Sequence, residues 1–263
     1  MIPSPSCGQS KGDLMARLTL RKTVFAKTIF DNTLFATAVF AFVTALLMVG
    51  AAHAQDRHQN EPGKFDFYVL SLSWTPSFCD AAFERAPDQA PPPECGPRAV
   101  PFVVHGLWPQ YEKGFPEFCQ QPAPRLDRNV VSSMLDLMPA PRLIFNEWDK
   151  HGTCSGLGSH AYFETVRKAR ALLKIPDEYL ELSQEIMVAP AEVGDAFVKA
   201  NPGLTRASIA VSCDAKRLTE VRICLDRNLA FHDCAAVEQH SCRREQIVMP
   251  PLHAERKAAA VEY

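Results

Sequence analysis

Eight cysteines spread through the last three-quarters of the chain constrain the fold more than any other feature. They are Cys79, Cys95, Cys119, Cys154, Cys213, Cys224, Cys234 and Cys242, while a ninth, Cys7, stands apart near the start. Between Cys7 and the eight lie basic residues (Arg17, Arg21, Lys22, Lys27), an apolar run over 34–49, "LFATAVFAFVTALLMV", and small residues at Ala52 and Ala54. That order is the order of a secretory signal with cleavage after Ala54. A retained membrane anchor is the competing reading of the apolar run, and Ala52 and Ala54 favour removal. Met15 is a second candidate start. Residues 1–54 therefore read as signal peptide and N-terminal extension, and 55–263 as one domain. An even set of cysteines in an exported protein reads as four disulfides, with 105 pairings open. A structural zinc site would want closely spaced cysteine pairs, and the sequence contains no Cys-x-x-Cys.

Residues 55–263 carry 23 Lys and Arg against 28 Asp and Glu, a net charge of −5. Such a surface has no general electrostatic affinity for nucleic acid. A polyanionic substrate has to be held by a local cationic site.

"FDFYVLSLSW", 65–74, alternates and is rich in β-formers, so it is read as a central strand. A proline-rich loop follows over 87–97, plausibly clipped by Cys79 and Cys95. "VPFVV", 100–104, is a second strand that delivers His105 at its end, where Gly106 breaks it. Helical patterns cover 128–138 and 142–151, the latter stopped by Gly152. Another begins at Ser159 with a core stripe of Tyr162, Phe163, Val166, Ala169, Leu172 and Leu173. A short helix precedes Asn201-Pro202-Gly203, a strand pair is made by "ASIAVSC" and "LTEVRICLDR", and the tail after Pro251 is polar. The pattern is a single α+β domain, a central antiparallel sheet with flanking helices stapled by disulfides.

Two polar segments carry chemistry. In "NEWDKHGTC", 146–154, Glu147, Lys150 and His151 fall at i, i+3 and i+4, so a helix brings a carboxylate, a cation and an imidazole onto one face. A solvated surface helix shows the same spacing, but here Trp148 interrupts the charges and Gly-Thr-Cys follows. In "HGLWPQ", His105 stands beside Gly106 with Trp108 three residues on. Taken alone, a histidine at a strand end is more often structural. Two histidines facing each other across a cleft can serve as base and acid.

"FVVHGLWPQ" and "NEWDKHGTC" resemble the two active-site segments of the ribonuclease T2 family, secreted or periplasmic endoribonucleases, and "LSLSWTPSFC" resembles that family's first strand. The resemblance runs in the same order over most of 65–154, and the cysteine pattern extends it to Cys242. It implies a ribonuclease that needs no metal and no cofactor and cleaves single-stranded RNA through 2′,3′-cyclic phosphates with low base specificity. On the family pattern His151 is the base, His105 the acid, Lys150 stabilises the phosphorane, and Glu147 binds the phosphate or tunes the histidines. Trp108 corresponds to a base-stacking aromatic, with Gln110, Tyr111 and Phe115 as candidates for the base pocket and Asn146 for phosphate binding. Trp74 and Trp148 are assigned to the core. The resemblance also implies the pairs Cys79–Cys95, Cys119–Cys154, Cys213–Cys242 and Cys224–Cys234. The expected partner is RNA and not DNA, since the reaction needs a 2′-OH. The mature protein is expected to be a monomer with no stable membrane association, periplasmic or secreted.

The chain departs from the family at two places. Asn146 stands where many members carry a histidine, so it can hydrogen-bond a phosphate but not carry charge. Gln110 stands where some relatives have an Asp that selects a base. Three rival readings accompany the ribonuclease: a metallohydrolase using His105, Glu147 and His151 as ligands, a thiol mechanism through Cys154, and a secreted binding scaffold whose catalysis has lapsed.

Overall fold

A computed structural model describes residues 60–97 and 99–252. The signal, its cleavage point, Met15 and the tail over 253–263 lie outside the described residues. Four strands form an antiparallel sheet: β1 (Phe67–Trp74), β2 (Phe102–Gln110), β4 (Ile209–Cys213) and β5 (Leu218–Leu225), in the spatial order β2-β1-β5-β4. Between them in sequence come α1 (Thr75–Arg85), α2 (Arg128–Met134), α3 (Pro141–Lys150), α4 (Ser159–Ala171), β3 (Ile186–Val188) and α5 (Pro190–Ala200). After β5 come α6 (Ala235–Glu238) and β6 (Ile247–Met249), which pairs with β3 in a small second sheet.

Alternation along the strands separates two environments, because successive side chains point to opposite faces. On one face Tyr68, Leu70, Leu72 and Trp74 meet Val104, Leu107, Val221 and Ile223. They pack with Ile144, Trp148, Tyr162, Phe163 and Val166 from the helices into the main core. Trp74 is fully buried and Trp148 is 2% exposed, so both are core residues. The opposite face begins with a small apolar cluster of Phe67, Val69, Cys224 and Cys234. It continues through Ser71, paired with both Gly106 and Arg222, to Ser73, paired with Glu220. That polar half of the sheet is where the histidine of β2 lies.

The second strand differs from the sequence expectation. It does not stop at Val104 but runs through Gly106 and Pro109 to Gln110. Ser71 pairs with Gly106 and Leu72 with Val104, so His105 is the extra residue of a β-bulge. A bulge lets the ladder resume while re-aiming one side chain, which is why Gly106 does not end the strand. The Val104 amide finds its acceptor in the Leu137 carbonyl at 2.9 Å. The 128–138 helix is also shorter than its pattern, ending at Met134 in a turn closed by Leu137 and Met138 onto the Met134 carbonyl. Pro139 follows directly and disfavours helix in the residue before it. Gly152 is not a helix stop either. The chain tightens into a 3-10 turn over Gly152–Ser155, and Gly156, at φ 75°, makes the left-handed exit. Gly152 is required for packing instead, since a Cβ there would lie 2.4 Å from Trp148 and 2.9 Å from Tyr162.

Disulfides join Cys79 to Cys95, Cys119 to Cys154, Cys213 to Cys242 and Cys224 to Cys234. The second ties the loop after β2 to the turn after α3, and the Phe118 amide bonds the Lys150 carbonyl beside it at 2.8 Å. Closing that loop, with its separation of 35 residues, contributes about 4 kcal/mol on the chain-entropy account. Among the described residues no helix is long and apolar enough to cross a membrane.

Candidate active site

Helix α3 starts on Pro141, whose fixed φ suits a first helical position. Ile144, Glu147, Trp148 and His151 follow at i, i+3, i+4 and i+7 and form its buried stripe. Ile144 and Trp148 enter the main core, with the Trp148 indole N–H donating to the Pro124 carbonyl at 2.6 Å. Glu147 lies instead over the bulge of β2. Its Oε2 accepts from the Trp108 indole at 2.7 Å, and its Oε1 stands 3.6 Å from His105 Nε2. The carboxylate fits because residue 106 is glycine: a Cβ on Gly106 would come within 1.9 Å of Glu147 Oε2 and 2.4 Å of Trp108 Nε1.

A cavity of about 550 Å³ opens over this arrangement, lined by His105, Trp108, Glu147, Lys150, His151 and Arg222. Gln110, Tyr111 and Phe115 line it as well. Trp108 lies against both imidazoles, its ring centroid 5.3 Å from that of His105 and 5.3 Å from that of His151. Arg222 reaches it from β5, with its guanidinium 5.2 Å from the Trp108 ring centre. Lys150, at the rim, is paired with Glu117 at 3.5 Å. Asn146 is placed differently. It is exposed and lines a neighbouring cavity of about 670 Å³ on the other side of His105, along with Phe78, Leu143 and Glu220.

The surroundings push the two histidines in opposite directions. Burial takes His151 down to about 3, helped by the positive charges of Lys150 and His105, so its ring is neutral over the physiological range. Burial also acts to lower His105, but the hydrogen bond and charge of Glu220, together with the charge of Glu147, outweigh it, and its net shift is upward. Glu220 is the residue that sequence reading missed. Its Oε1 meets His105 Nδ1 at 2.5 Å, and its Oε2 accepts from Arg222 at 2.9 and 2.7 Å. Burial favours the neutral acid, but His105 and Arg222 together hold Glu220 down to about 2. Glu147 behaves oppositely, since burial prevails over His105, the Trp108 bond and Lys150, and its carboxyl is pushed up to about 7. The signal for the missed pair was legible in "LTEVRICL": Glu220 and Arg222 are two charges at i and i+2, on one face of a strand otherwise built for a core.

Cys154 is fully buried and disulfide-bonded, which removes it as a thiol nucleophile. Among the described residues no three His, Cys, Asp or Glu side chains group in a way that could hold a metal ion.

Comparison with known proteins places this geometry. The model of the Ribonuclease T2 family matches residues 65–234. A probable ribonuclease of Haemophilus influenzae is 32% identical over 185 residues, which covers 67% of this chain and 63% of that protein. A ribonuclease of Aeromonas hydrophila is 34% identical over 174 residues, 64% of this chain and 75% of that one. The chain thus spans somewhat less than two thirds of the first of these relatives and three quarters of the second. Among solved structures, an RNase-related protein from Calystegia sepium superposes with a TM-score of 0.57 at 22% identity, over 72% of this chain and 98% of that one. RNase NT in complex with 5′-AMP superposes with a TM-score of 0.55 at 23% identity, over 72% and 99%. These likenesses establish the α+β fold, and the family match covers both histidine segments and the strand that carries Glu220. The chain belongs to the Ribonuclease T2 family.

Proposed function

We propose that the protein is a metal-independent endoribonuclease that cleaves single-stranded RNA by transfer to the neighbouring ribose hydroxyl. His151 takes the proton from the 2′-OH, the 2′-oxygen attacks phosphorus, and the P–O5′ bond breaks as His105 gives its Nε2 proton to the departing oxygen. The products are a 2′,3′-cyclic phosphate and a free 5′-hydroxyl. In a second step water opens the ring with the two histidines exchanging roles. The observation that carries this reading is the pair of histidines on one cavity with opposite shifts. One is kept neutral and able to accept a proton, the other is shifted toward its protonated form, the form able to give one. A phosphate entering between them adds negative charge, which raises the basicity of His151 when it is needed.

The remaining residues fit the developing charge. Lys150 and Arg222 provide the local cationic site that an acidic protein needs for a polyanion. Glu147, neutral below about 7, can donate a hydrogen bond to a phosphate oxygen instead of repelling it. Trp108, Gln110, Tyr111 and Phe115 form the wall on which a base stacks, and such a wall discriminates weakly among bases. Asn146, lying outside this cavity, leaves substrate binding weaker than a cationic side chain would, without removing the acid or the base. DNA has no 2′-OH and is not a substrate. Residues 1–54 are removed on export, and the enzyme works as a monomer in the periplasm or outside the cell, where its disulfides persist.

The test is hydrolysis of bulk RNA by the oxidised protein from pH 5 to 8 in excess EDTA, with products analysed for 2′,3′-cyclic ends. Chelator-resistant cyclic products are expected. Cleavage abolished by EDTA would restore the metallohydrolase reading, and no cleavage by folded protein would leave a lapsed scaffold.

A further inference from the structure

The His105 ring is held from behind by a strand that is not its neighbour. β2 and β5 are separated by β1, yet Glu220 on β5 reaches across the Ser73 position to His105 Nδ1. The crossing is possible because the bulge displaces His105 from the regular alternation of β2 and because Ser71 and Ser73 are small. Glu220 is only 9% exposed, and its second oxygen is gripped twice by the Arg222 guanidinium two residues along. Two charge-assisted bonds to that one oxygen hold it in place and leave Oε1 for the ring. An ion pair serving the sheet alone would be complete with Arg222. The bond to His105 is additional, and it leaves Nε2 on the side of Glu147 and the cavity.

We propose that Glu220 is a positioning residue for the reaction: clamped by Arg222, its carboxylate holds the His105 imidazole through Nδ1 and presents Nε2–H to the leaving oxygen. The inference rests on the acid role proposed for His105. It deepens that role by assigning the acid's protonation and aim to a residue outside both histidine segments. The charged and titratable groups facing His105 are Glu220 and Arg222 from β5, Glu147 from α3, and His151 beyond Trp108. Glu94, Arg142 and Asp214 line the cavity on its other side. Of these, Glu220 alone makes a short hydrogen bond to the ring.

The experiment compares the wild type, Glu220→Gln and Arg222→Gln by two readouts, the NMR titration of the His105 ring and steady-state cleavage of a dinucleotide from pH 5 to 8. Gln keeps the shape and an acceptor oxygen but removes the charge. Glu220→Gln is expected to lower the His105 midpoint. It should also reduce kcat at pH 7 about tenfold or more, within the ~10²–10⁴ that a general acid contributes. KM should stay within about twofold, and the deficit should narrow as pH falls toward the variant's own lowered His105 midpoint. Arg222→Gln, which removes a positive charge, is expected to move the midpoint the opposite way, upward. Should Glu220→Gln fail to fold, Glu220→Asp, which keeps the charge but draws it back from Nδ1, supplies the test, with a lowered His105 midpoint and a reduced kcat expected. An unchanged His105 midpoint in folded Glu220→Gln, or in Glu220→Asp where that variant replaces it, would overturn the positioning role. A wild-type protein that cuts no RNA, with the midpoints still moving as described, would refute the ribonuclease reading and leave the coupling in place.

Discussion

Substituting Gly106 by alanine isolates the contact on which the site is assembled. Replacing glycine by alanine where the backbone conformation suits both normally stabilises a protein by about 0.4–1 kcal/mol, because the unfolded chain has less freedom to lose. Gly106 is not among the positive-φ glycines, so backbone strain does not oppose the change. The opposition is steric and local: the new Cβ would stand 1.9 Å from Glu147 Oε2, 2.4 Å from Trp108 Nε1 and 2.9 Å from Glu147 Cδ. Glu147 must leave, the 2.7 Å bond from Trp108 breaks, and the indole N–H left without its acceptor costs about 1–3 kcal/mol. The usual gain is thereby reversed to a net loss of about 1–2 kcal/mol. For a domain of this size that loss lowers Tm by roughly 2–8 °C. Thermal unfolding followed by circular dichroism reads the stability. RNA cleavage by the same preparation should fall by more than tenfold, since the indole and the carboxyl both lose their place beside the histidines. An alanine variant as stable and as active as the parent would show that no carboxyl lies over Gly106 and would refute the geometry.

Further predictions follow from the same contacts. Because burial raises Glu147 to about 7, the folded state resists its ionisation, and stability from this group declines as pH rises from the ordinary carboxylate range through 7. Glu147→Gln should therefore gain on the wild type between pH 5 and 8 in urea midpoints, and a constant difference would contradict the shift. Glu220 is held down to about 2, so its contribution is present above its unfolded value and disappears as pH falls toward 2. Glu220→Gln should accordingly flatten the acid side of the stability curve in the same assay. Replacing Cys119 and Cys154 by serine should cost about 4 kcal/mol, read by denaturant unfolding. It should reduce kcat as well, because that bond holds the loop after β2 against the end of α3. Adding inorganic phosphate should raise the NMR titration midpoint of His151, and no movement at saturating phosphate would remove His151 from the binding cavity.

The order of elements was readable because local patterns and tertiary demands agree in this chain. Alternation over 65–74 and in the last strand pair matches a sheet with one face on the main core and a partly polar face toward the site. Helical spacing put Glu147, Lys150 and His151 on one face, and the resemblance of "NEWDKHGTC" to a family segment distinguished them from a solvated helix. What the sequence did not disclose depends on contacts between distant segments. The bulge at His105 arises from register against β1, which no property of "VVHGL" specifies. The short β3 and β6 strands, of three residues each, carry too little pattern to detect and exist only by pairing with each other. Thr75 to Cys79, included in the segment likened to a first strand, instead open helix α1, with Pro76 in the first turn where proline is compatible with helix. Glu220 escaped notice because its partner lies 115 residues away. Asn146 adjoins Glu147 in sequence but lines a different cavity, since adjacent positions on a helix point about 100° apart.

The division of labour between the histidines is the central claim, and a change of leaving group tests it most directly. An RNA dinucleotide in which sulfur replaces the bridging 5′-oxygen releases a thiolate, which needs no proton to depart. Cleavage of this substrate by His105→Ala should approach the wild-type rate, while His151→Ala, lacking the base, should stay slow on sulfur and oxygen substrates alike. Rescue of His151→Ala instead would exchange the two roles, and rescue of neither variant would contradict the acid and base assignment altogether.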